Sequence, residues 1–90
     1  MKATETRNIA VKERVKRFEE NVKEEMNRGN GFYDTELTLM VKPGFFERFD
    51  RVKHLSPTMV EALSHLEDMG YKISFRHNNE PNHINVVISW

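Results

Sequence analysis

From Asn8 to Arg28 the apolar residues Val11, Val15, Phe18, Val22 and Met26 recur every three or four positions, with Lys, Arg and Glu between them. At about 100° of rotation per residue they fall on one narrow stripe, so the pattern predicts an amphipathic helix. Glu13/Arg17 and Glu19/Lys23 stand in the favourable i,i+4 order, and "GNG" at Gly29 to Gly31 supplies residues suited to the left-handed turn that ends a helix. A stripe this narrow packs against one neighbouring helix, in the same chain or in a partner subunit.

The pattern then changes period. "FYDTELTLMVK" sets Leu37, Leu39 and Val41 against Glu36, Thr38, Met40 and Lys42, the alternation of a half-buried strand, and Pro43–Gly44 stops it. In "FFERFDRVKHL", Phe45, Phe49 and Val52 share a helical face with Phe46 at its edge. A short helix with its phenylalanines in the core is the expectation. "SPTMVEALSHLEDMGY" carries Ser56 as N-cap, Pro57 at the first helical position and Gly70 past the end, with Met59, Ala62, Leu63 and Leu66 as the inner face. "YKISF" and "INVVISW" read as the strands of a hairpin. Pairing His77 with Ile84 sets Phe75 opposite Val86, Ile73 opposite Ile88 and Tyr71 opposite Trp90, whereas a one-residue slip faces Phe75 with Asn85 and Tyr71 with Ser89. The first register is predicted, with a loop from Asn78 to His83.

This order makes an α+β domain: an N-terminal amphipathic helix, then strand–helix–helix–strand–strand forming a three-stranded mixed sheet with helices on one face, closed by a right-handed crossover. Residues 1–28 form the N-terminal helix and 29–90 the core of one domain, with "RGNG" as the candidate hinge. Three strands with an open face are barely self-sufficient. The expectation is therefore a homo-oligomer, a dimer, with Val11, Val15, Phe18, Val22 and Met26 at its interface.

Composition narrows the function. Ninety residues suffice for one small core. Fourteen basic and fourteen acidic groups cancel, without the basic excess of a nucleic-acid binder. The absence of cysteine removes disulfides and thiolate metal sites and favours a reducing cytoplasm. No apolar run reads as a signal peptide or a membrane span.

Candidate chemistry is sparse. "RHNNEPNH" gathers His77, Glu80 and His83 near one turn. Those three groups allow a metal-assisted hydrolytic centre only if further ligands converge on them. An Asn/Pro-rich turn whose side chains bond nearby backbone is the stronger reading, and no metal or cofactor is expected. His54 and His65 read as surface residues, Ser56 is taken by its cap, and Glu67 and Asp68 diverge on their helix. The outward sheet face would carry Lys72, Ser74 and Arg76 beside Asn85, Val87 and Ser89, with Thr38 and Met40 from the first strand. Lys72, Arg76 and Asn85 are the candidates for a small anionic or nucleotide-like ligand. With no convergent catalytic set, the leading expectation is a non-enzymatic cytoplasmic binding protein that acts by protein–protein contact. Such a protein would be a small regulator or an inhibitor of the kind mobile elements carry.

Overall fold

In the computed structural model, which describes the backbone of residues 3–90 and the side chains from Thr6 onward, the charged N-terminal stretch is one helix, α1 (Ala3–Asn27). It stops at Gly29, whose φ of +85° costs glycine little because it has no Cβ. The Gly29 amide donates to the Met26 carbonyl (3.0 Å) and the Asn30 amide to that of Glu25 (3.0 Å), the paired bonds of a Schellman ending. α3 (Pro57–Asp68) ends the same way at Gly70, with φ +100° and the Tyr71 amide donating to Leu66 (3.1 Å). It begins as predicted, with Ser56 Oγ accepting the Met59 N–H (3.2 Å) and Pro57 in the first turn.

The strands are β1 (Phe32–Thr38), β2 (Lys72–Arg76) and β3 (His83–Ser89), in the order β1-β3-β2. The hairpin has the expected register, with Ile73 opposite Ile88, Phe75 opposite Val86 and Arg76 opposite Asn85. The sheet is antiparallel throughout, whereas a mixed sheet is the expectation from sequence. β1 and β2 do run the same way, as the crossover requires, but β3 lies between them. The physical reason is β3's alternation: Ile84, Val86 and Ile88 are all buried, so the strand with the most complete apolar face takes the centre, where both of its edges are paired.

α1 and α3 lie side by side on one face of this sheet, giving a molecule 39 × 38 × 19 Å, two layers thick. At about 1.5 Å per residue α1 spans roughly 37 Å, which accounts for the long dimension. Its stripe is spent inside the chain. Val11, Phe18 and Val22 are buried and Val15 half-buried, with Phe18 and Val22 in one cluster with Leu63, Leu66, Val86 and Ile88. Met26, 39% exposed, is the stripe residue that stands out to solvent. The stripe assigned to an oligomer interface is thus the joint between α1, α3 and β1.

The structure departs most from the sequence reading between Leu39 and Asp50, which form no regular element. Past Thr38 the strand is redirected: the Leu39 amide donates to Asn82 (2.7 Å), and the Met40 and Val41 amides turn to the His54 carbonyl (2.8 and 3.3 Å). The expected helix shrinks to α2 (Arg51–His54). Asp50 takes its N-cap position, accepting the Val52 N–H (2.9 Å), while Gly44 and Glu47 close a turn (3.0 Å). Phe45 and Phe46 therefore lie on no helix and outside the core.

Candidate functional site

Three places could do chemistry: the open sheet face, the hairpin end, and the loop between β1 and α2. On the sheet face, alternation turns Asp34 and Glu36 of β1, His83 and Asn85 of β3, and Lys72 and Arg76 of β2 to the same side. Arg76 pairs with Asp34. The Asn85 amide donates to Asp34 Oδ1 (2.9 Å) and its oxygen accepts from Asn78 Nδ2 (2.6 Å), while the same Asn78 nitrogen reaches Glu36 Oε2 (3.0 Å). The residues selected for an anionic ligand are therefore already engaged. Arg76 is paired with Asp34, Asn85 has both ends of its amide used, and Lys72 makes no ion pair among the described residues. Reading β2 and β3 alone missed this because the acids come from β1, whose place beside β3 follows from the sheet order.

Asn85 ties β3 to β1 and to the hairpin loop by these bonds, so Asn85→Ala is expected to cost about 1–2 kcal/mol in urea unfolding. Lys72→Ala on the same face should stay within about 0.5 kcal/mol.

At the hairpin end, Asn78 Oδ1 accepts the Glu80 N–H (2.8 Å) and the His83 amide donates to the Glu80 carbonyl (3.2 Å). This is the turn chemistry that "RHNNEPNH" predicts, with the loop shifted by one residue to 77–82, because β2 stops at Arg76 and His83 opens β3 opposite Thr38. His83 Nε2 faces Glu36 Oε1 at 3.4 Å, and its Nδ1 is buried without a hydrogen-bond partner. Among the described residues no three His, Asp or Glu side chains converge as a metal site, so His77, Glu80 and His83 do not come together as the centre their spacing allowed.

The loop from Leu39 to Asp50 is organised by a residue that sequence reading placed on the surface. His54 is 1% exposed. Its Nδ1 accepts the Asp50 N–H (2.8 Å), so the neutral ring carries its proton on Nε2, which donates to Glu47 Oε1 (2.5 Å). Its carbonyl takes the two amides from Met40 and Val41. One residue thus ties both ends of the loop to α2, and Phe49 packs between its ring (centroids 5.8 Å) and Phe75 (4.7 Å). The spacing of Glu47, Asp50 and His54 was the available signal. It is weak, because i+4 and i+7 intervals of charged residues are common on exposed helices. His65 does lie on an exposed position of α3.

What the brace presents is apolar. Phe45 and Phe46 are 96% and 95% exposed and stack edge to face, centroids 4.8 Å apart. Met40, Val41 and Val52, all exposed, flank the His54 brace. Between this loop and the hairpin loop runs a groove of about 370 Å³, whose lining includes Leu39, Phe49 and Ile84 with Lys42, Glu47, His77 and Glu80. No protein-family model, curated protein or solved structure matches the chain. Among the described residues no helix is long and apolar enough to cross a membrane.

Proposed function

We propose that this chain is a small, non-enzymatic binding protein that acts by protein–protein contact, as a regulator or inhibitor of its partner, and that the loop between β1 and α2 makes the contact. One observation carries the reading: Phe45 and Phe46 stand almost fully in water on a loop braced by a buried histidine. Phe45 and Phe46 are the most exposed of the chain's exposed large hydrophobics among the described residues, and adjacent exposed apolar side chains of this kind mark contact surfaces. Aromatic side chains flanked by smaller apolar groups are also where binding energy concentrates. A cysteine-free chain suits the reducing cytoplasm. The homo-oligomer expected from α1 loses its support, since that stripe is occupied within the chain. The anionic-ligand reading loses its support to Asp34 and Glu36.

The test separates contact from folding. Phe45→Ser/Phe46→Ser is expected to leave urea stability within about 0.5 kcal/mol of wild type, as for other exposed positions, while abolishing retention of the partner that co-purifies with wild type. A double variant that keeps its partner at wild-type yield would remove the loop from the function.

A further inference from the structure

Building on that reading, we infer that the partner of the loop is an acidic protein surface: an apolar groove that receives Phe45 and Phe46, edged by carboxylates that pair with Lys42, Arg48 and Lys53. The charges around the phenylalanines carry this. From Leu39 to Lys53 the chain holds four basic residues, Lys42, Arg48, Arg51 and Lys53, and two acidic ones, Glu47 and Asp50. Both acids are held by the domain itself, Glu47 by His54 and Asp50 by the first turn of α2. Arg51 is held by Glu67 (2.7 Å). Lys42, Arg48 and Lys53 are exposed and make no ion pair among the described residues. The loop therefore offers an apolar centre with three cations that have no ion-pair partner among the described residues, while its two carboxylates are hydrogen-bonded within the domain, and the complementary surface is apolar within and acidic at its rim.

Two other occupants fit less well. A second copy docked through this loop on a two-fold axis would set the same three cations against themselves, with the loop's two acids already bonded to Val52 N–H and His54. An anionic lipid surface would suit the cations, but Glu47 and Glu80 line the adjoining groove and would meet the same headgroups. A protein can supply carboxylates to the cations and avoid those two acids, because its charges are placed one by one. Each exposed phenylalanine has roughly 150–250 Å² to bury, so the pair alone provides about half of the roughly 800 Å² per partner of a stable interface.

The experiment places a photoreactive group at the centre of the surface. Phe46→p-benzoylphenylalanine, in the full chain, is irradiated in the cells that make it, alongside the same chain carrying Lys42→Glu, Arg48→Glu and Lys53→Glu. The expected result is an adduct to a protein whose linked peptide lies among Asp and Glu residues, with a yield that falls roughly tenfold or more in the charge-reversed chain. The yield should recover when the partner's neighbouring acids are changed to Lys. In extract, raising the ionic strength from about 0.1 M to about 1 M shortens the screening length from about 10 Å to about 3 Å, and should lower the wild-type yield as well. A protein adduct indifferent to both charge reversal and salt would overturn the acidic partner while leaving protein contact standing. Adducts to a second copy or to lipid, or no adduct at all, would sink both. All three reversed side chains are exposed, and equal urea midpoints for the two chains would confirm that folding is unchanged.

Discussion

Val22→Asp is expected to leave the chain without a cooperative unfolding transition, read as far-UV circular dichroism against urea. Val22 is fully buried in the cluster shared by α1, α3 and the sheet, and the described side chains around it are apolar. A carboxylate there is uncompensated, which costs several kcal/mol whether it stays ionised or takes up a proton. A chain of this length has a total stability of only roughly 5–13 kcal/mol, at about 0.05–0.15 kcal/mol per residue. Met26→Asp, on the same stripe but exposed, should move stability by no more than about 0.5 kcal/mol. The contrast tests where α1 lies. If Val22→Asp stayed folded and merely changed subunit number, α1 would be sitting on another copy.

The second large effect is expected at His54. His54→Ala removes a fully buried ring, frees the Asp50 amide and releases Glu47 from its side-chain bond to α2. Cavity and lost hydrogen bonds together should cost roughly 2–4 kcal/mol, and lower the melting temperature by about 10–30 °C for a domain of this size. Glu47→Gln keeps an oxygen to accept the Nε2 proton, and Glu47 is half-exposed, so its cost should stay under about 1 kcal/mol. The two variants also differ in a local readout. With the ring gone, proteolysis between Lys42 and Arg48 should accelerate beyond what global unfolding explains, since the ties that remain, the Met40 and Val41 amides, the Asp50 cap and Phe49 on Phe75, lie near the loop's ends. Wild-type stability and cleavage in His54→Ala would show that Phe49 packing alone holds the loop.

These two residues also mark how far sequence reasoning reaches. The stripe containing Val22 was plain, because a 3.6-residue period is a local property. What the stripe packs against depends on residues forty to seventy positions away, which no local pattern specifies. The caps of α3 and the β2–β3 register were legible for the same local reason: Ser56, Pro57 and Gly70 act within a turn, and the register follows from facing Ile73 and Phe75 with Ile88 and Val86. Phe45 and Phe46 were misplaced because helical spacing was weighed above the Asp50 cap and the Gly44 turn. Both of those signals were present and start the helix later. His54 was missed because its burial comes from the fold: its partners Glu47 and Asp50 are near in sequence, but the strand end that covers it is not. Arg76 and Asn85 were correctly placed on the open face, but their bonds to Asp34 were not legible, since β1 joins them only through β3.

The position of β3 imposes an order of events on synthesis. Neither β1 nor β2 has a strand partner other than β3, and 45 residues separate Thr38 from His83, which faces it. At roughly 5–20 residues per second, β1 waits about 2–9 s for a neighbour. During that interval Leu37 and the inner face of α1 have no sheet to cover. The sheet can close only when Ile84, Val86 and Ile88 arrive, since β3 is the strand that both neighbours pair with. Folding of this domain is therefore governed by its last seven-residue strand, and a chaperone that shields α1 would have to let go only after that strand has emerged.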